Sequence, residues 1–150
     1  MMTEDRKESD VFPFFTEIGI IEQLSRSALE RNLPQGLKIS QFGVLNHFAR
    51  LGGEKSPAYL ASAFQVTKGA MTNTLQRLEK LGFIKIITDP KDKRAKLVSI
   101  TPTGLSARDE SIQSIGPMMA ELLETIPAEE FDAAMPFLSK LRGYLDNRRF

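Results

Sequence analysis

Cysteine is absent from this chain of 150 residues. That one absence excludes disulfides, thiolate metal sites and thiol-based redox switches. Histidine is nearly absent: His47 is the only one, and a single imidazole cannot build a zinc site without carboxylate help. Long apolar runs are missing as well. The longest span only a few residues, such as Ile86-Ile87 and Met118-Met119-Ala120, whereas a membrane-spanning helix needs about 20. None resembles the apolar centre of a signal peptide, so a cytoplasmic protein with no membrane partner is expected. Nor is there a nucleophile–histidine set, a phosphate-binding glycine loop or metal-ligand spacing. The expectation is therefore no enzyme, no metal and no cofactor.

What is present is ordinary globular composition, 41% hydrophobic and 26% charged, enough for one domain with an added oligomerisation element. The net charge of +1 hides an uneven distribution. Residues 1–65 carry seven basic and eight acidic side chains, net −1. Residues 66–104 carry eight and three, net +5, and residues 105–150 carry five and eight, net −3. Positive charge gathered in one central segment suits a polyanionic partner, or a solvated basic face.

Periodicity predicts six helices and one hairpin. Phe14, Ile18, Ile21 and Ala28 recur at helical spacing over residues 11–31, and Pro34 and Gly36 end that helix. Ser40 reads as the N-cap of a second helix, residues 41–51, with Phe42, Leu45, Phe48 and Ala49 on its apolar face and Gly52-Gly53 after it. Ser56-Pro57 opens a short third helix to residue 64. Thr67 caps a fourth, residues 68–81, whose stripe is Met71, Leu75, Leu78 and Leu81. Two β-rich runs, 83–88 and 96–100, flank a polar loop at 89–95 that is expected to project into solvent. Thr101-Pro102 starts a long helix to about residue 125. Its apolar residues follow a coiled-coil-like seam, and Gly116-Pro117 is expected to kink it rather than end it. Ile126-Pro127 leads into a last helix carrying Phe131, Met135, Leu138, Leu141 and Leu145. The fold class is thus mainly α with a small β-hairpin wing. A flexible tail (1–10) precedes a winged helix-turn-helix (37–101), which is flanked by helical regions at 11–36 and 102–150.

In a helix-turn-helix the second helix enters the major groove while the first braces it. If the fourth helix buries Met71, Leu75 and Leu78, its other face presents Lys68, Thr72, Asn73 and Gln76. Asn and Gln can pair with adenine, and lysine reaches guanine or phosphate. Lys91, Lys93 and Arg94 cluster in the hairpin loop, where an arginine suits the minor groove and lysines suit phosphates. Arg77 is a candidate to ion-pair with Asp92 and brace the wing. Each feature alone also fits a solvated surface. Their order together, with the local charge, points to double-stranded DNA.

The run Leu78-Glu79-Lys80-Leu81-Gly82-Phe83-Ile84, the Asp92-Lys93-Arg94 wing and Thr101-Pro102-Thr103-Gly104 resemble the multiple-antibiotic-resistance regulator (MarR) family of winged-helix regulators. The resemblance implies a homodimer whose first and last two helices interlock with those of a second copy. It implies that Lys68, Thr72, Asn73 and Gln76 face the major groove, that Arg94 enters the minor groove and that Asp92 orients the wing. Asn73 departs from the arginine common there, and Lys93 from another frequent arginine. The resemblance further implies repression relieved by a small aromatic anion bound beside the DNA-binding lobe. Phe14, Phe15, Phe42, His47 and Arg50 are the candidates for that pocket. Two other readings remain open: a winged-helix protein-interaction module, and a constitutive DNA binder with no effector.

Overall fold

The computed structural model describes residues 7–149. Of the expected tail, residues 1–6 lie outside that range. Residues Glu8–Asp10 form a short 3-10 turn, in which the Asp10 carboxylate accepts from the Lys7 backbone N–H at 3.0 Å.

Helix α1 spans Phe12–Asn32 and holds Pro13 in its first turn, where no backbone donor is needed. It ends at Leu33, whose extended backbone is the conformation a following proline imposes. Helix α2 spans Ile39–Leu51, two residues earlier than Ser40 as N-cap would require. Lys38 occupies the cap position, and its backbone N–H is satisfied by Gln41 Oε1 at 3.0 Å. Gln41 is accordingly buried, together with Val44, Leu45 and Phe48, while Phe42 and Ala49 are only half-buried.

Helices α3 (Pro57–Ala63) and α4 (Lys68–Lys80) are capped as expected. Ser56 Oγ accepts from Tyr59 N–H and Thr67 Oγ1 from Ala70 N–H, both at 3.1 Å. In the turn between them Gln65 takes φ 53°, unusual for a non-glycine residue, and its carboxamide donates to the Ser62 carbonyl at 2.8 Å. Met71, Leu75 and Leu78 are buried and Leu81 is exposed.

Strands β1 (Ile84–Asp89) and β2 (Asp92–Ile100) form an antiparallel hairpin. The ladder runs regularly from Ile84–Ile100 to Thr88–Lys96, then jumps to Asp89–Asp92. The long solvent loop expected at 89–95 is therefore not there. The chain turns at Pro90-Lys91, and Lys93, Arg94 and Ala95 stand opposite no residue, as a bulge. Two aspartates shape this tip. Asp89 Oδ1 accepts from Lys91 N–H at 2.9 Å and Asp92 Oδ1 from Arg94 N–H at 3.0 Å, side chain–backbone bonds that make a turn without a long loop. Lys55 bridges to Val98 through a reciprocal backbone pair of 3.0 and 2.8 Å, adding a one-residue third strand.

Helix α5 spans Pro102–Thr125, running on through Pro117, and α6 spans Ala128–Asp146 with Pro136 inside it. The Thr101 hydroxyl donates to the Gly82 carbonyl at 2.6 Å and accepts from Gly104 N–H at 3.0 Å. Gly104 must be glycine: a Cβ there would collide with the Phe83 carbonyl oxygen and approach Ile100 Cγ1 to 2.8 Å. Residues up to Ser114 make one compact unit and those from Ile115 a second, so the division falls within α5. The core of the first runs from Leu37, Leu45 and Phe48 through Leu60, Leu75 and Leu78 to Phe83 and Val98. The second consists of the end of α5 and all of α6, and α6 buries no residue. Among the described residues no helix is long and apolar enough to cross a membrane.

Candidate nucleic-acid interface

Burial of Met71, Leu75 and Leu78 turns the remaining face of α4 outward, and Lys68, Thr72, Asn73 and Gln76 are all exposed. The structure divides them between two adjoining hollows. A cleft of about 310 Å3 brings Lys68 and Thr72 together with Ser56 and Pro57 at the start of α3 and with Arg94 and Lys96 of the wing. A shallower hollow holds Asn73, Gln76, Arg77, Glu79 and Lys80. Asn73, Gln76, Arg77 and Lys80 follow the i, i+3, i+4, i+7 spacing of one helix face.

Arg77 therefore stands on the outward face of α4 with Asn73, Gln76 and Lys80 rather than against Asp92 of the wing. Asp92 pairs with Arg94 instead, its Oδ1 lying 3.3 Å from Arg94 Nε. The reason is local. Asp92 Oδ1 is already turned toward the Arg94 backbone N–H, and a residue two positions on is nearer than one on another element. Arg94 remains 93% exposed, so this pair orients the guanidinium without covering it. Lys91 and Lys93 are exposed at the tip beside it.

Lys96 and Ser56 belong to the cleft but were not among the expected site residues. The signal for Lys96 was available: it stands two positions from Arg94, and alternate strand residues share a face. It also donates to Thr88 Oγ1 at 3.3 Å. Ser56 was legible as a cap but not as cleft lining, since that depends on where the wing packs.

The residues expected to line an effector pocket do not converge. Phe14 and Phe15 meet edge to face at 5.7 Å on α1. His47 sits among Phe48, Tyr59 and Phe64, at 6.2, 5.8 and 5.5 Å between ring centres. Phe42 precedes His47 by five residues, which sets the two about 140° apart around α2. Arg50 is exposed on the same helix. Burial, then the Arg50 and Lys55 charges, hold the His47 imidazole below its ordinary pKa of 6.5, and Nε2 is buried with no protein hydrogen-bond partner. A different hollow, about 460 Å3, lies along one flank of α4. Its lining includes Arg26 of α1, Gly43 of α2, Phe64, and Met71, Asn73 and Thr74 of α4.

A short helix, a tight turn, an amphipathic helix with a polar outer face and a basic hairpin beside it define a winged helix-turn-helix. Residues 35–95 match the model of the MarR family. Solved structures agree over nearly the whole length. The chain is 25% identical to the transcriptional regulator BldR from Sulfolobus solfataricus, covering 90% of this chain and 99% of that one, with a TM-score of 0.74. It is 27% identical to a mutant MarR from E. coli complexed with operator DNA, covering 91% and 99%, with a TM-score of 0.72. At 19% identity, the organohalide-sensing regulator RdhR-CbdbA1625 in its 2,4-dichlorophenol-bound form shares the fold, covering 96% and 88% with a TM-score of 0.71.

Proposed function

We propose that this chain is a homodimeric, sequence-specific DNA-binding transcriptional regulator working in the cytoplasm. The observation that carries the reading is the shared cleft, in which Lys68 and Thr72 of α4 meet Arg94 and Lys96 of the wing. One element supplies groove-reading polar groups and the other supplies charge for phosphates and the minor groove. The similarity to a regulator solved on operator DNA supports the same reading. Asn73, Gln76 and Arg77 extend the contact surface along the major groove. Homodimerisation is supported by the large apolar residues left exposed on the terminal helices, among them Phe12, Ile21, Leu24, Met135, Phe137 and Leu145. Such surface on a single chain calls for a covering partner, and a second copy offers it by symmetry.

Within this reading the protein is a repressor that a small aromatic anion releases. The hollow beside α4 supports it. Its wall is largely apolar, and Arg26, which pairs with Glu22 at 2.6 Å, is among its lining residues. A ligand wedged there would push on the flank of α4 that carries Ala70, Asn73 and Thr74.

The test is fluorescence anisotropy with the duplex upstream of the protein's own gene and a scrambled duplex, over about 50 to 200 mM salt, a range in which several phosphate contacts cost orders of magnitude in affinity. Wild type is expected to prefer the upstream duplex. Arg94→Ala is expected to bind more weakly, with a salt slope reduced by about 1. Flat salt dependence, with Arg94→Ala equal to wild type, would sink the DNA-binding reading and leave the protein-interaction alternative.

A further inference from the structure

Helical phase divides the outer side of α4 into three strips. Asn73, Gln76 and Lys80 stand opposite the buried stripe of Met71, Leu75 and Leu78. Lys68 and Thr72 lie on the flank beside the wing, with Arg94 and Lys96. Ala70 and Thr74 lie on the other flank, where the neighbours include Ser40 of α2 and Arg26 of α1. Arg26 also borders an open hollow that holds Lys38, the residue before the first turn of α2. Through Arg26 the two hollows join, and all of these residues belong to the unit that ends at Ser114.

Two dimensions decide what the second flank meets. An α-helix with its side chains is about 10 to 12 Å across, and the major groove is about 12 Å wide. A helix lying in that groove therefore has a phosphate strand along each flank. The wing-side flank takes one strand. The strand across the groove runs along the Ala70–Thr74 flank, where Arg26 and Lys38 are the cations at hand. Both side chains are exposed, 53% for Arg26 and 59% for Lys38. Each has a carboxylate beside it, Glu22 Oε1 at 2.6 Å from Arg26 Nη2 and Glu30 Oε1 at 3.2 Å from Lys38 Nζ. Exposed pairs of this kind are weak. A guanidinium has five donors and an ammonium three, so each cation can take a phosphate oxygen without leaving its carboxylate.

We infer that Arg26 and Lys38 hold the second phosphate strand of the duplex whose first strand meets the wing-side cleft, and that Glu22 and Glu30 temper that grip. The inference rests on the DNA-binding reading. It gives α1 a direct part in binding DNA, which the helix-turn-helix and wing do not supply.

The test is fluorescence anisotropy with the upstream and scrambled duplexes over about 50 to 200 mM salt. Wild type and Arg94→Ala are measured beside the double variant Arg26→Gln/Lys38→Gln and beside Glu30→Gln. Each lost phosphate contact lowers the salt slope by about 1. The double variant is therefore expected to lose about 2, on both duplexes, so that its deficit in affinity shrinks about tenfold across that salt range. Backbone contacts carry no sequence information, so its preference between the duplexes should stay that of wild type. Glu30→Gln keeps an acceptor for Lys38 but removes the opposing charge. It is expected to bind more tightly than wild type, a gain that a damaged fold would not give. Neutral methylphosphonate links, placed singly in each strand of the upstream duplex, identify the strand. Within one half-site, links that weaken wild type but not the double variant are expected on one strand, and links that weaken wild type but not Lys96→Gln on the other. Both sets on the same strand overturn the inference. So does a double variant with the affinity and slope of wild type in a series where Arg94→Ala binds more weakly, and that result leaves the DNA-binding reading standing. A wild type with flat salt dependence overturns both.

Discussion

The two ends of this chain and its middle use apolar residues in opposite ways. Among the described residues, every buried hydrophobic side chain lies between Leu33 and Ala107. Outside that interval sit Val11, Phe12, Ile20, Ile21 and Leu24 on one side, and Leu122, Leu123, Met135, Phe137 and Leu145 on the other, all exposed in a single chain. The middle closes its own core. The ends leave their large apolar side chains exposed. The middle should therefore respond to mutation as a protein core, and the ends as an interface whose stability depends on concentration.

The sharpest break of that comparison is Gly104→Ala. A methyl cannot fit against the Phe83 carbonyl and the Ile100 side chain, so the start of α5 must move off the wing. The expected loss is about 4 kcal/mol or more, in the exceptional range for one substitution, read as a collapse of the urea midpoint. Next comes a matched pair. Leu75→Ala, at 2% exposure, is expected to cost about 2 to 5 kcal/mol as a core cavity, equally at low and high protein concentration. Leu145→Ala on α6, half-exposed in one chain, is expected to lower the melting temperature only to the extent that dimer forms. Its deficit grows as concentration rises and more dimer forms. Equal concentration dependence in the two variants would erase the distinction between middle and ends.

Smaller still is Thr67→Ala, which removes the cap on Ala70 N–H and is expected to cost about 1 kcal/mol, with DNA affinity falling as the first turn of α4 frays. The smallest effect concerns pH. His47 is held below its ordinary pKa by burial and by Arg50 and Lys55. The folded state therefore takes up a proton less readily than the unfolded state. The contribution of His47 is complete above 6.5 and is lost as pH falls through the lowered folded value. Stability should drop as pH falls below about 6.5, and His47→Gln should remove that part of the drop. A histidine whose removal leaves the pH profile unchanged would show that its aromatic nest tolerates the imidazolium.

Much of this could be read without coordinates because it is local. The Met71, Leu75, Leu78 stripe, the Ser56 and Thr67 caps and the Thr101-x-x-Gly104 pattern are each set by neighbours within a turn or two of chain. Where the reading went astray, a longer-range or competing contact had decided. Ser40 is a good capping residue, yet Gln41 caps Lys38 from inside the helix and is buried for it. Asp92 was expected to reach Arg77 on another element but binds the wing's own backbone two residues on. Five candidate pocket residues share an aromatic or polar character, but helical phase sends His47 toward Tyr59 and Phe64 and leaves Phe42 on another side of α2.

The order of the amino acids by itself determined the helix-turn-helix, the presence of a basic hairpin and the outward polar face of α4. Those follow from periodicity, capping and turn chemistry, which act over a few residues. Tertiary structure alone decided that Lys96 and Ser56 join Arg94 and Lys68 in one cleft, and that Arg108 of α5 forks onto Asn46 of α2, 62 positions earlier. Such meetings depend on how whole elements pack, and no local pattern encodes them.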